Sequence, residues 1–191
     1  MPSDVADNVT RIPLLERDQV PPELAALYDV LLKQRGVVPN MFKTIAHVPG
    51  LALAFAGLLK PLLSDGALPG WYKELVATRI SVLLGSEYAV KAHSLSARQK
   101  GATDEQIAAV KGNFAAGPFT DAEKLGFESA DRLHRSAADI DDTFYAKLKA
   151  MFQDQQIIEL IATASVFEFF PRFVDALRIP LTPPPAQERQ S

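Results

Sequence analysis

Cysteine is absent from all 191 residues. That excludes disulfides, thiolate nucleophiles, iron–sulfur clusters and cysteine-based zinc sites. Histidine occurs only three times. His47, His93 and His134 are scattered, with no His-Glu-x-x-His and no paired ligand spacing, so no metal is expected. Glycine is sparse, at ten residues. None builds a phosphate-cradling Gly-x-x-x-x-Gly-Lys or a dinucleotide loop, so no cofactor is expected. Gly36, Gly85 and Gly101 read as helix punctuation. A large excess of one charge is missing too: the net charge is −3 and the pI is near 5.6. That balance argues against nucleic acid or an anionic membrane as a partner.

Long hydrophobic runs are also lacking. The most apolar stretch, Ile45 to Leu63, is interrupted by His47, Pro49, Lys60 and Pro61, and its uncharged core is only Pro49 to Leu59. A membrane span needs about 20 mostly apolar residues, so this stretch reads as a buried helix. Met1 to Arg17 has no apolar core of a secretory signal, and a cytoplasmic location is expected.

What is present is helical periodicity. Strand-like alternation is nearly absent, and leucine and alanine dominate the apolar positions. Pro21-Pro22-Glu23 starts a helix that stops at Gly36. Asn40 is placed to cap a short helix ending before Pro49. A helix from about Leu51 ends at Ser64-Asp65-Gly66, with Pro61 bending or ending its last turn. Pro69 starts the next, which Gly85 breaks. Ser86 can cap another, which ends at Gly101. Thr103 with Gln106, and Thr120 with Glu123, have capping-box spacing, so helices begin near Asp104 and Asp121. A short helix covers roughly Asp142 to Met151, and a long one runs from Asp154 to Leu177 with Pro171 as a kink. Three segments are expected: an arm over 1–20, a helical domain over 21–180, and a disordered proline-rich tail over 181–191. Lys73-Glu74-Leu75-Val76-Ala77 is echoed by Ile158-Glu159-Leu160-Ile161-Ala162, which suggests two similar helical halves.

Polar residues inside apolar helices are the informative ones. Glu74 precedes Gly85 by 11 residues and His93 follows it by 8. At 1.5 Å rise per residue those are about 16 Å and 12 Å from the turn, so an antiparallel hairpin can set a carboxylate beside an imidazole. Glu74, Thr78 and Ser81 share one stripe, and Ser86, Ala89, Val90, His93 and Ala97 another. The small residues leave room for a pocket. A carboxylate favours imidazolium and fixes its tautomer, so the pair can move protons near neutral pH. A tie between two helices is the competing reading of the same pair.

The run from Lys73 to Ala77, followed by Leu84-Gly85-Ser86-Glu87-Tyr88-Ala89-Val90-Lys91-Ala92-His93-Ser94, resembles the signature of the carboxymuconolactone decarboxylase / alkylhydroperoxidase D superfamily. That signature is a glutamate, eleven residues, then Cys-x-x-Cys-x-x-x-His. Glu74 stands at the glutamate position and His93 at the histidine position. Gly101 to Ile107 resembles the segment that follows. Val38 to Phe42 and Ala46 to Pro49 resemble the early helices of the peroxidase-related branch, and Phe169 to Leu177 its closing helix. The likeness covers about Val38 to Pro180. It implies an all-α, alkylhydroperoxidase D-like fold.

The departure lies at the two cysteine positions, which hold Ser86 and Ala89. Peroxide reduction in this family resembles thiol–disulfide chemistry, and serine cannot form a sulfenic acid. Thiol peroxidase activity is therefore not expected. Ser86 reads as a helix cap rather than a nucleophile, since no Gly-x-Ser-x-Gly elbow surrounds it. The lactone-decarboxylase branch resembles a cofactor-free lyase that works without the cysteine pair. By that resemblance, Glu74 and His93 are the candidate catalytic residues, and Ser86, Tyr88, Ala89, Thr78 and Glu168 the candidate substrate-binding ones. Arg172 can pair a carboxylate but reads better as a salt bridge. Tyr72 and Tyr88 fit a pocket mouth or packing. His47 suits a helix C-terminus, and His134, among arginines, reads as solvated. The expected function is a cofactor-free acid/base enzyme on a small acidic organic molecule. The alternative is a non-catalytic binding or structural protein with a vestigial site. A homo-oligomer is expected, with Asp4 to Leu32 available to wrap a neighbour.

Overall fold

The computed structural model describes residues 10–184, and these hold nine α-helices and no strand. They are α1 (Pro22–Arg35), α2 (Asn40–Ile45), α3 (Pro49–Leu63), α4 (Gly70–Leu83), α5 (Glu87–Gln99), α6 (Asp104–Lys111), α7 (Asp121–Arg135), α8 (Asp142–Met151) and α9 (Asp154–Ala176). The chain forms two compact units. One comprises Met1–Leu59 with Val174–Ser191, in its described part, and the other Lys60–Phe173.

In the first unit, α1 opens on Pro22, whose fixed φ suits a first helical position, and closes at Gly36 in the left-handed region (φ 68°). Leu24, Tyr28 and Leu31 line its buried face. The residues ahead of α1 are tied to their own chain. Leu15 N donates to Lys43 O, Tyr28 Oη donates to Leu15 O, and Arg11 N donates to Leu177 O. His47 Nε2 meets Pro13 O at 2.9 Å, so this ring serves the N-terminal segment. Asn40 does not cap α2, because Pro39 holds that position. Its amide donates instead to Pro180 O and Leu181 O, and its backbone N–H to Thr182 Oγ1. Those bonds anchor the start of the expected tail; residues 185–191 lie outside the described residues.

The Ile45 to Leu63 stretch takes in the last residue of α2 and all of α3, and α3 is not the buried helix expected: Leu51, Leu53 and Leu58 keep 39%, 41% and 45% of their surface. Pro61 does not end the helix. It sits in the last turn, where a missing N–H costs one bond at most.

The second unit is built around α4, which packs against α5, α6 and α7. Leu75, Val76, Ala77 and Ile80 are fully buried, so α4 is enclosed on most sides rather than striped. Its polar residues are enclosed with it and each finds a partner. Thr78 and Ser81 donate to the carbonyls four residues back, Glu74 and Ala77. Lys73, fully buried, pairs with Glu159 of α9 at 2.9 Å. Glu159 also accepts from the N–H groups of Ala67 and Leu68, just ahead of α4. Partial burial pushes its carboxyl up, but Lys73 and the two amides outweigh this and hold it below the usual range. Arg79 makes a bidentate pair with Asp131 of α7 and lies over the Phe114 ring. Both expected capping boxes form, at Thr103/Gln106 and Thr120/Glu123. The two echo segments lie in α4 and α9, and the glutamate of each receives a lysine.

Candidate functional site

The site is made by the hairpin of α4 and α5. Gly85 takes the left-handed conformation (φ 71°) that a side chain would strain, and so turns the chain between them. Glu74 is fully buried in the first half of α4. Its Oε2 lies 2.7 Å from His93 Nδ1, and the imidazole keeps 16% of its surface. The ring packs edge-on against Phe167 of α9, centroids 4.4 Å apart. Nδ1 is committed to the carboxylate, which leaves Nε2 as the nitrogen for proton exchange.

The other carboxylate oxygen is held by two groups the sequence reading did not single out. Glu74 Oε1 accepts from Ser96 Oγ at 2.6 Å and from Lys100 Nζ at 2.5 Å. A signal was available: His93, Ser96 and Lys100 are spaced i, i+3, i+7, one stripe of α5. Burial by itself pushes the Glu74 carboxyl up. The hydrogen bond and charge of His93, then the charge and hydrogen bond of Lys100, together overcome that and bring it down to about 2. Glu74 is therefore a permanent anion at any physiological pH.

The remaining candidates divide. Ser86 takes the extended conformation of a residue preceding α5, yet its hydroxyl makes no cap bond to the helix. It is 1% exposed and Ala89 3%, so both cysteine positions are closed over. Thr78 is enclosed and spends its hydroxyl on Glu74 O rather than on the carboxylate. Tyr88 is half-buried, one residue before Ala89. Tyr72 is not at a pocket mouth: it is 1% exposed, donates to Glu123 O, and burial pushes its phenol well above the ordinary value. Glu168 directs its oxygens away from the Glu74–His93 pair, to His134 Nδ1 at 2.7 Å and Arg172 Nη2 at 2.9 Å. His134 is thus paired rather than merely solvated, since α7 brings it against α9, and Arg172 makes its bridge within its own helix. Among the described residues no group of three or more histidine and acidic side chains is arranged to hold a metal ion. No helix among them is long and apolar enough to cross a membrane.

Comparison with known proteins bears on this hairpin directly. Residues 49–132, which contain α3 to α6 and most of α7, match the family model of the carboxymuconolactone decarboxylase family. The Escherichia coli (strain K12) protein YnjA is 25% identical over 174 residues, covering 90% of this chain and 91% of YnjA. A peroxidase-related protein with an alkylhydroperoxidase AhpD core, from Ralstonia eutropha JMP134, superposes with TM-score 0.84 at 20% identity, covering 91% of this chain and 93% of that one. A cysteine-to-alanine variant of the debrominase Bmp8, in complex with 2,3,4-tribromopyrrole, superposes with TM-score 0.79 at 23% identity, covering 96% and 97%. The chain thus takes an alkylhydroperoxidase D-like helical fold, and its residues 49–132 are similar to the carboxymuconolactone decarboxylase family, with Ser86 and Ala89 in place of the cysteine pair that the resemblance implies.

Proposed function

We propose that this protein is a cofactor-free acid/base enzyme, of the decarboxylase, lyase or lactone-opening kind, acting on a small acidic organic molecule. The observation that carries the proposal is the 2.7 Å contact between a fully buried, permanently charged Glu74 and a partly exposed His93. A buried anion behind Nδ1 fixes the tautomer and stabilises the imidazolium, so Nε2 can give or take a proton. In a decarboxylation, the bond from the substrate carbon to its carboxylate breaks and carbon dioxide leaves. The electron pair stays on carbon, and Nε2–H supplies the proton that quenches it. Solvent then reprotonates His93. Glu74 remains ionised throughout. Among proteins of this fold, the debrominase Bmp8 holds 2,3,4-tribromopyrrole, a small ring, which is in keeping with a compact cyclic substrate. A cytoplasmic location is part of the proposal.

A second reading has its own support. Ser86 and Ala89 are almost fully covered, as in a binding or structural protein whose old reaction space has closed. The two readings part on turnover. A panel of small carboxylated lactones and keto acids is to be assayed with the intact protein and with His93→Ala and His93→Gln. The expected loss in both variants is about 10²–10⁴-fold, the worth of a positioned proton donor. Turnover that survives both substitutions rules out the mechanism, and no turnover on any member favours the second reading. A thiol-coupled peroxide assay run alongside should give only its background rate.

A further inference from the structure

The Glu74 carboxylate is divided between two kinds of partner. Oε2 serves His93, a group that gains and loses a proton, while Oε1 serves Ser96 and Lys100. Lys100 is fixed at both ends of its reach, because Nζ also donates to Leu63 O at 2.7 Å. Leu63 ends α3, so its carbonyl is one of those a helix leaves without an internal partner. One ammonium group, on the residue that caps the end of α5, therefore joins the end of α3 to the first half of α4. Its side chain keeps 32% of its surface, unlike the enclosed glutamate it holds.

We propose that Lys100 is a positioning residue of the Glu74–His93 pair, pinning the carboxylate and opposing the protonation of His93. The inference rests on the acid/base reading for its consequence in turnover, but the electrostatic part stands apart from any substrate. Four other charged groups of α5 and of α6, which packs on it, are paired with one another: Lys91 with Glu87, and Arg98 with Asp104. From α4 comes Glu74, which favours imidazolium. From the residue capping the end of its own helix, Lys100, comes a like charge on the far oxygen of the same carboxylate, which disfavours it. From α9 comes Phe167, which is uncharged; the neighbouring Glu168 is turned to His134 and Arg172. With Lys100 in place the trio is neutral when His93 is neutral. Without it, the same neutral histidine sits beside an uncompensated buried anion and binds its proton more tightly. Ser96 contributes direction without charge, so its loss frees the carboxylate to rotate and leaves the charge balance alone.

The test is a proton NMR titration of the His93 ring in the intact protein and in Lys100→Gln, Lys100→Met, Lys100→Arg and Ser96→Ala. Folding is checked in each by circular dichroism. Lys100→Gln keeps hydrogen-bond donors and removes the charge, and Lys100→Met removes both. Both should raise the His93 midpoint by about one pH unit, the size expected of a neighbouring like charge. Lys100→Arg and Ser96→Ala should leave it near the original. If an active substrate is known, the pH–rate profile should move in step. An unmoved midpoint in a folded Lys100→Gln or Lys100→Met overturns the inference. So does failure of both to fold, which would make Lys100 a structural tie alone. A shifted midpoint with no turnover on any substrate sinks the acid/base reading and leaves the electrostatic role of Lys100 intact.

Discussion

At the scale of single residues, burial decided which polar groups matter. Glu74 and His93 were legible because their spacing about Gly85 follows from helix rise alone, and the hairpin indeed brings them into contact. Lys100 was not, because a lysine near a helix end ordinarily reads as solvated. Only the tertiary arrangement shows its nitrogen held by Glu74 and Leu63. Thr78 illustrates the reverse: it lies on the stripe of Glu74, but a threonine hydroxyl in a helix can bond the carbonyl four residues back, and here it does. Gly126 was not singled out at all. A Cβ at this position would be driven into the Tyr72 hydroxyl, and Tyr72 is enclosed and bonded to Glu123 O, so it has nowhere to go. Gly126→Ala should cost about 1–3 kcal/mol by overpacking, despite alanine's better helix propensity. Urea denaturation measures this, and an unchanged midpoint would show that Tyr72 can yield.

Element boundaries were the most legible feature, since caps and breakers are local. Pro22, Gly36, Gly85, Gly101 and the two capping boxes all stand where helices start or stop. The prolines inside helices were harder to read, because interruption depends on whether a missing bond can be tolerated. Pro61 and Pro171 both lie within continuous helices. The element that departs most from expectation is α3, read as buried yet carrying Leu51, Leu53 and Leu58 with Val48 beside them, all exposed. The only charge on α3 is Lys60, near its end. Such a surface is costly to leave in water, and a second copy of the chain is the occupant we propose. Sedimentation velocity should find an oligomer at micromolar concentration, and Leu53→Glu with Leu58→Glu should dissociate it without unfolding it. A monomeric parent protein would refute the role of α3.

For the whole molecule, the acid limb of stability is a direct consequence of the site. The Glu74 carboxyl titrates at about 2 in the folded chain against an ordinary value of 4.5. The folded state therefore binds this proton less readily than the unfolded state. The stabilisation is fully present above pH 4.5 and is lost as the pH falls through about 2. Glu74→Gln should lower stability at neutral pH by about 3–5 kcal/mol, because it leaves Lys100 and His93 facing a neutral amide. The same variant should lose less than the parent between those two pH values. Thermal unfolding from pH 7 to pH 2 tests both, and parallel curves for the two proteins would show that Glu74 is not the group responsible.

By itself the sequence determined that the chain is helical, where most helices begin and end, and that an acid and an imidazole stand one hairpin apart without sulfur between them. Those are matters of local propensity, capping and helix rise. The tertiary structure alone decided that Glu74 loses all contact with water, that Lys100 and Ser96 share its second oxygen, and that Glu168 turns to His134. Each depends on which helix packs beside which, and periodicity within one helix carries no record of its neighbour.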